Sequence, residues 1–492
     1  MRIPLDHTSD VPLYRQIENY LRQNIRSGSL AAETRLPATR ELAQELGVSR
    51  ITVNNAYAEL ESDGLIYTVE GSGTYVAPPL ALSTPLVDDT AVTYPLWQQE
   101  LTTGGGDDPE LGVVARPSSR PHPHLIAFTG VGDPHQFPVD DFFKVLKQII
   151  REKGVTALAY GNMSGGYPTL RETVAHVLAS QGIQANPAHI LITSGSQQAL
   201  ALVCQVLLQP GDAILVEKPT YNFALELFRS LKLKIVGIPL DEHGMQVEML
   251  EYLLQKYHPR LIYTIPNFQN PSGMCLSGAR RRQLVTLADQ YNVPVLEDDF
   301  AGDLRYNGRS LPAIKALSPP GQVIYIGTFS KILMPGLRIG FLVAEGPVFS
   351  RLVTAKRVHD LATSALMQHA LERYVTVGRY QAHLRRSCRL YRQRRDAMLA
   401  AIQRYLPAEI QVIPPQGGLF IWLRLPENKS SLELLVLARA EGVDFAPGAR
   451  FFPDFAEGDP YLRLNFATQT PEAIAEGIRR LAIAWQRLGD SR

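Results

Sequence analysis

Residues 323–341 read VIYIGTFSKILMPGLRIGF, and this stretch decides the fold of the larger part of the chain. The apolar run 323–326 is bounded by glycine and predicts a buried strand. The chain then passes Thr328 and reaches Lys331, and Arg338 follows seven residues later. A desolvated lysine amine loses its proton readily and can form a Schiff base, whereas hydroxyls and a guanidinium suit a phosphate. The stretch therefore predicts a site for a cofactor with an aldehyde and a phosphate; the alternative is a solvated surface lysine.

Bulk composition is that of a soluble globular protein of several domains. The 492 residues predict two or three domains, and 45% hydrophobic with 20% charged residues argues against disorder. Cys204, Cys275 and Cys388 lie far apart, which argues against a disulfide framework and a structural zinc and indicates a reducing compartment. The N-terminus has no apolar signal core, and no apolar run reaches membrane-spanning length. We expect a cytoplasmic protein with no metal site and no membrane segment.

Downstream of about residue 124, short apolar segments alternate with helical ones. This alternation is typical of an α/β fold with a mostly parallel sheet, in which ligands bind beyond the carboxyl ends of the strands. The predicted strands span residues 189–193, 213–216, 234–238, 261–265, 293–297 and 323–326. A run of six arginines within residues 383–395 falls on a predicted helix. We expect it to be a solvated face or a subunit contact, the alternative being a DNA-facing surface.

Polar residues follow the first two predicted strands. Ser194, Ser196 and Gln197 open a helix, whose N-terminal N–H groups could bind a phosphate. Many strand–helix junctions look alike for packing reasons. Tyr221 follows the next strand and could stack on a flat ring or belong to the core.

Further candidates follow later strands. Asn270 lies in the turn PNFQNPSG, which could be only a turn. Asp298 and Asp299 end a strand; a carboxylate there could hold a pyridinium nitrogen protonated, or could be merely solvated. Arg463 stands among apolar residues in YLRLNF, and a buried arginine suits a bidentate carboxylate.

In order and spacing, these motifs resemble the class I and II aminotransferases across residues 124–488. The resemblance implies an α/β PLP-dependent transferase of fold type I with a smaller C-terminal α+β subdomain, and pyridoxal 5'-phosphate (PLP) as the cofactor. It assigns the Schiff-base lysine to Lys331 and the partner of the ring nitrogen to Asp298. It further assigns the partner of the phenolic oxygen to Asn270 and that of the amino-acid carboxylate to Arg463. Ala301 stands where the family has a tyrosine.

The resemblance also implies how the rest of the cofactor is held. Tyr221 would stack on the ring, and Tyr160 would reach the phosphate of the neighbouring subunit. The other implied phosphate ligands are Ser194, Ser196, Gln197, Thr328 and Arg338.

Residues 1–77 show three helical segments followed by a glycine-tipped hairpin. This order predicts a winged helix-turn-helix, whose second helix of the pair enters the major groove of DNA. The candidate DNA contacts are Arg40, Ser49, Arg50, Thr52, Asn54 and Gly71. The alternative is a helical interaction module, which the seven arginines, no lysine and ten acidic residues of this segment partly support.

The sequence of residues 36–66, LPATRELAQELGVSRITVNNAYAELESDGLI, followed by GSGTYV, resembles the DNA-binding domain of GntR-family regulators. In that family the positions of Arg40, Arg50, Thr52 and Gly71 contact DNA. Residues 78–123, rich in proline and glycine, are predicted to be a linker to a domain spanning residues 124–492.

The whole chain is identified as a member of the MocR subfamily of PLP-dependent transcriptional regulators. The resemblance implies a head-to-tail, domain-swapped homodimer that binds operator DNA and senses PLP, an amino acid or an amine. One alternative is a working aminotransferase with an ancillary DNA-binding head. Another is a regulator whose large domain has lost PLP.

Overall fold

The computed structural model describes residues 3–6, 9, 11–69, 71–78, 124–130, 132–162, 165–179 and 181–490. The chain forms two compact units, and each is treated by itself below. The predicted linker lies outside the described residues, apart from residue 78. Among the helices that the structure describes, none is long and apolar enough to cross a membrane.

The N-terminal unit is a winged helix-turn-helix, as predicted. Its elements are α1 (Leu13–Arg26), α2 (Thr39–Leu46), α3 (Arg50–Ser62), β1 (Ile66–Val69) and β2 (Gly73–Val76). The two strands pair antiparallel, with Ile66 opposite Val76. Apolar residues of all three helices and of the hairpin form one core, including Ile17, Leu42 and Leu60. Because each helix offers only one apolar stripe, the unit is stable only when the three stripes meet.

The second unit contains twelve helices and fourteen strands within its described residues. Its helices are α4 (Val139–Lys153), α5 (Pro168–Ala179), α6 (Ser196–Leu207), α7 (Asn222–Ser230), α8 (Leu250–Tyr257), α9 (Gly278–Gln290), α10 (Ile314–Leu317), α11 (Pro347–Asp360), α12 (Ala365–Thr376), α13 (Arg379–Tyr405), α14 (Ser431–Ala440) and α15 (Pro471–Asp490). Its strands are β3 (Ile126–Ala127), β4 (Ile190–Thr193), β5 (Ala213–Lys218), β6 (Lys234–Asp241), β7 (Gly244–Met245), β8 (Leu261–Thr264), β9 (Val295–Asp299), β10 (Val323–Thr328), β11 (Gly340–Val343), β12 (Gln411–Val412), β13 (Phe420–Arg424), β14 (Val443–Asp444), β15 (Ala446–Pro447) and β16 (Tyr461–Asn465).

An eight-stranded sheet organises this unit in the order β4-β11-β10-β9-β8-β5-β6-β7. The five strands β10, β9, β8, β5 and β6 run parallel, whereas β11 and β7 pair antiparallel with their neighbours. All six predicted strands are present. Every residue of β10 is buried, as expected for a strand covered on both faces. The parallel strands bring their carboxyl ends to one edge, where the candidate site residues follow them.

A second sheet, in the order β12-β13-β16-β15, packs with α14 and α15 as the smaller α+β subdomain. The arginine run lies on α13, but it is not a uniform solvated face. Arg394 is buried and pairs with Asp133 at 2.7 Å. Arg395 is also buried and donates to the Pro415 carbonyl at 2.9 Å. Only the other four arginines of the run are exposed, because two of the run's side chains point into the unit.

Candidate functional site

A cavity of about 320 Å³ lies beside the carboxyl ends of the parallel strands. Strands, helices and loops from most of this unit contribute to its lining, and side chains far apart in sequence meet there. Six of the sequence-predicted residues line it together: Ser196, Tyr221, Asn270, Asp298, Lys331 and Arg463.

Lys331 follows β10 and is partly buried at the cavity wall. Burial, and next the positive charge of Arg338, lower the pKa of its amine to about 8, while the carboxylate of Asp298 opposes both. A larger fraction of this amine is therefore neutral near pH 7 than for an ordinary lysine, and a neutral amine is the nucleophilic form.

The carboxylate of Asp298 has one oxygen occupied and one unoccupied. Tyr263 donates its hydroxyl to Oδ2 at 2.8 Å, whereas Oδ1 is buried and has no hydrogen-bond partner. Burial raises the pKa of Asp298 to about 7, against the opposing hydrogen bond from Tyr263. Asp299 does not line this cavity, and its Oδ2 accepts from Tyr325 at 2.8 Å. The buried, unpartnered acceptor of Asp298 can thus receive an N–H donor placed in the cavity.

Arg463 and Asn270 form a pair at the opposite wall. Nη1 of Arg463 donates to Oδ1 of Asn270 at 2.8 Å, which leaves the Asn270 amide nitrogen available as a donor. The guanidinium lies over the ring of Phe420 at 4.0 Å, and its Nε is buried without a partner. Burial, and next the charge of Arg450, lower the pKa of Arg463 to about 9, so the group stays charged at neutral pH.

The turn before α6 is closely packed against Arg338. Nη2 of Arg338 donates to the Ser194 carbonyl at 2.9 Å. Gly195 has a positive φ of 99°, and a Cβ there would lie 2.8 Å from Arg338 Nη2. A Cβ on Gly340 would lie 2.6 Å from the Gly195 carbonyl carbon. Only glycines allow this approach of backbone and guanidinium, which places N–H groups and a positive charge together.

The side chains of three predicted phosphate ligands form hydrogen bonds with other residues of this chain. Ser194 donates its hydroxyl to Asp360 at 3.0 Å. Gln197 donates its amide to the Phe223 carbonyl at 3.2 Å. Thr328 accepts from the backbone N–H of Ser330 at 3.1 Å and so closes the turn before Lys331.

Tyr160 is not brought into this cavity. It is 78% exposed and lines a different cavity, together with Tyr167 and His369. Within one chain it therefore has no contact with the surroundings of Lys331, and its predicted role requires a second subunit.

Several residues in or beside the cavity were not predicted from the sequence. Phe300, Phe420 and Phe451 give it aromatic walls, and Arg450 adds a second guanidinium. Tyr263 lies within the apolar strand β8, where nothing in the pattern distinguishes it from a core residue. Arg450, in the segment PGARFF just after a proline–glycine pair, was the one charged residue in an apolar stretch and so carried a usable signal.

The predicted DNA-contacting residues lie on the exposed side of the winged helix-turn-helix. Arg40, Ser49, Arg50, Asn54 and Gly71 are exposed, whereas Thr52 is partly buried. Ser49 also caps α3, because its Oγ accepts from the Thr52 N–H at 3.2 Å. Neither Arg40 nor Arg50 forms an ion pair within the ranges that the structure describes. Both charges therefore remain available for phosphates or base edges.

Comparisons with known proteins match both units. Residues 13–76 match the family of bacterial regulatory proteins of the gntR type, and residues 129–481 match aminotransferase class I and II. The chain is 40% identical over 359 residues to aromatic-amino-acid aminotransferase 1 of Thermococcus litoralis, covering 72% of this chain and 86% of that protein.

Two further similarities extend these matches. LysN, an alpha-aminoadipate aminotransferase from Thermus thermophilus complexed with N-(5'-phosphopyridoxyl)-L-leucine, is 37% identical with a TM-score of 0.70, covering 75% of this chain and 94% of that one. The protein named "Probable rhizopine catabolism regulatory protein MocR" of Rhizobium meliloti is 32% identical over 501 residues, covering 99% of this chain and 96% of that protein. The chain belongs to the MocR-type regulators, in which a GntR DNA-binding domain is joined to a class I and II aminotransferase domain.

Proposed function

We propose that this regulator binds operator DNA in a manner governed by PLP and by an amino acid or amine held in the cavity around Lys331. The observation that carries the proposal is the buried, unpartnered Oδ1 of Asp298 in the same cavity as Lys331 and Arg463. Oδ1 of Asp299 is also buried without a partner, but only Asp298 lines the cavity with Lys331 and Arg463, where a ligand N–H could satisfy it. An exposed α3 on the same chain supplies the DNA-binding function.

The residues present fit PLP. When bound, this cofactor supplies an aldehyde that reacts with amines and a pyridine ring that withdraws electrons. Lys331 would attach it, Asp298 would accept the ring N–H, Asn270 would donate to the phenolic oxygen and Tyr221 would stack on the ring. The phosphate would lie against the N–H groups at the start of α6 and against Arg338. Ser330, whose buried Oγ has no partner, adds a donor next to Lys331.

An effector's carboxylate would bind Arg463. Its Nε and the apolar walls around it form a site with a positive charge and no compensating carboxylate among the described residues. To change DNA affinity, the effector must contact two conformations of the protein differently. The cavity lies between the large sheet and the smaller α+β subdomain, so a movement of that subdomain would change the contacts of a bound ligand.

A homodimer would complete the site. Val155, Leu158 and Tyr160 lie close in sequence and are 82%, 66% and 78% exposed. Large apolar side chains so exposed mark a surface for a partner. A second copy in a head-to-tail arrangement would bury them and bring Tyr160 to the phosphate of the neighbouring subunit.

Binding to the DNA upstream of its own gene tests the proposed function. Fluorescence anisotropy of labelled DNA is measured with the full-length protein, first without PLP, then with PLP, then with PLP and individual amino acids or amines. We expect the Kd to change by about tenfold or more with PLP or with one effector, a coupling of about 1.4 kcal/mol. A Kd that is the same under all conditions would contradict a sensory role.

Uptake of PLP by the PLP-free protein should accelerate from about pH 7 to about pH 9 and then level off. The lowered pKa of Lys331 means that its neutral, reactive form becomes dominant as the pH rises through about 8. An unperturbed lysine, with a pKa of about 10.4, would still gain reactivity above pH 9. Stopped-flow measurement of the visible absorbance gives the rate, with a lysine model compound as control. A rate still rising steeply at about pH 10 would contradict the perturbed pKa.

Replacing Arg50 by alanine should weaken DNA binding by about fivefold to a hundredfold at physiological salt. Arg50 begins α3, is exposed, and offers the guanidinium that a base edge or phosphate would accept. Arg15→Ala is the matched control, because Arg15 is an arginine of α1 that hydrogen-bonds Tyr14. If anisotropy on the same DNA gave equal affinities for the two variants, the predicted contact of Arg50 with DNA would be wrong.

A working aminotransferase is the second candidate, since Lys331, Asp298 and Arg463 meet in one cavity. Incubation of the purified protein with amino acids and a keto acid distinguishes the two functions. A regulator is expected to convert at most about one equivalent of amino acid, whereas an enzyme would give sustained turnover at ordinary rates of about 1 s⁻¹ or more.

A further inference from the structure

Arg450 lies in the same cavity as Arg463 and is held there by a rigid turn. It belongs to the turn Gly448–Phe451 between β15 and β16. The backbone N–H of Thr220 donates to the Phe451 carbonyl at 2.8 Å. A Cβ on Gly448 would lie 2.4 Å from the Gly458 carbonyl oxygen, so this turn is packed closely against its neighbour. The base of the Arg450 side chain is therefore fixed at the cavity wall.

The guanidinium of Arg450 has no counter-ion in the part of the chain that the structure describes. Its Nε is buried without a hydrogen-bond partner, and no carboxylate of the described residues forms an ion pair with it. Taking a charged group out of water without a partner is costly, and such groups normally pair with an anion. Arg450 is partly buried and lines a ligand cavity, so its guanidinium is suited to an anion brought by the ligand.

The cavity is lined by two guanidiniums, and neither of them belongs to Arg338, the residue assigned to the PLP phosphate. Among the described residues, its lining contains three cationic side chains, Lys331, Arg450 and Arg463, and one acidic residue, Asp298. Arg450 is close enough for its charge to lower the pKa of Arg463. One carboxylate on Arg463 would leave Arg450 uncompensated.

We propose that Arg450 binds a second acidic group of the effector, so that the effector is an amino acid with an acidic side chain. The α-carboxylate lies on Arg463 and the side-chain carboxylate on Arg450, while Phe300 and Phe451 pack against the methylene groups between them. This inference rests on the proposed function, because it requires an amino acid to bind beside PLP. Two separate guanidiniums bind a dicarboxylate more tightly than the corresponding amide. The difference in binding free energy is that of one charge-assisted, hydrogen-bonded pair.

Pairs of amino acids that differ only in the side-chain acid test the inference. Glutamate is compared with glutamine, and aspartate with asparagine, by titration of the visible spectrum of the full-length, PLP-loaded protein. We expect the acids to bind about tenfold to a hundredfold more tightly than their amides. In Arg450→Gln this preference should fall to about one, while glutamine binding stays unchanged. Arg450→Lys should restore part of the preference, since it keeps the charge.

Arg424→Gln serves as the matched control. Arg424 ends β13, pairs with Glu427 at 3.2 Å and lies outside the cavity lining, so its loss should leave the acid preference intact. If wild-type protein binds glutamine as tightly as glutamate, or if Arg450→Gln weakens both alike, the second acidic subsite is overturned and the proposed function stands. If the protein takes up no PLP and shows no spectral change with any amino acid, both are overturned.

Discussion

The Lys331→Ala variant should lose the visible absorbance of bound PLP down to background. Lys331 is the only lysine among the described residues that line the cavity, so without it the cofactor is held by non-covalent contacts alone. After dialysis, mass spectrometry should find PLP in the wild-type protein and little in the variant. The response of DNA binding to PLP and to amino acids should disappear with it, whereas the affinity of the PLP-free protein for DNA should be unchanged.

The variant should remain folded, which makes this result interpretable. Nζ of Lys331 forms neither an ion pair nor a hydrogen bond within the described chain, and burial disfavours its charge. Alanine thus removes an unpaired cation rather than a structural contact, and the Tm of the PLP-free protein should not fall. Lys256→Ala, on the exposed face of α8, controls for loss of a lysine. A visible band that survives in Lys331→Ala would place the attachment elsewhere.

The Asp298→Asn variant should bind PLP about tenfold to a hundredfold more weakly. The amide oxygen can still accept from Tyr263, so the fold is preserved, but the amide nitrogen then occupies the place of Oδ1. Because an amide nitrogen cannot accept from a protonated ring nitrogen, a charge-assisted hydrogen bond worth about 1.5–3 kcal/mol is lost. Titration of PLP-free protein with PLP, followed by absorbance, gives the two dissociation constants.

Asp299→Asn is the matched control for this comparison. Asp299 is the adjacent carboxylate, yet it accepts from Tyr325 and stays outside the cavity lining. The PLP affinity of this variant should stay within a factor of about two of the wild-type value, because the side chain of residue 299 points away from the cavity. If Asp299→Asn weakened PLP binding and Asp298→Asn did not, Asp299 rather than Asp298 would be the partner of the ring nitrogen.

The order of motifs made much of the architecture predictable. Parallel strands buried on both faces are nearly continuous apolar runs, so all six predicted strands of the large sheet were found. The winged helix-turn-helix followed from helical periodicity, with Gly47 ending α2 in the left-handed conformation and Ser49 capping α3. These features depend on a few neighbouring residues, and short-range patterns report them directly.

The cavity was predictable only in part. Residues at the ends of parallel strands must converge on one edge, which is why Asn270, Asp298 and Lys331 meet. The direction of individual side chains was beyond prediction. The hydroxyl of Ser194 turns to Asp360, on a helix 166 residues away in sequence, and two arginines of α13 turn inward. Such contacts depend on how distant elements pack, which no local pattern contains.

The sequence by itself determined the two folds, the lysine that follows a buried strand and the order of the groups around it. The residue pattern left open which of two adjacent aspartates faces the cavity, although the family resemblance favoured Asp298. Tertiary structure places Asp298 and not Asp299 in the lining, since successive side chains of a strand point to opposite faces. It also decided that Arg450, from a turn of the smaller subdomain, joins Arg463 there without a counter-ion. The physical reason is that a side chain's partners are set by packing between elements, whereas its element is set by its neighbours in the chain.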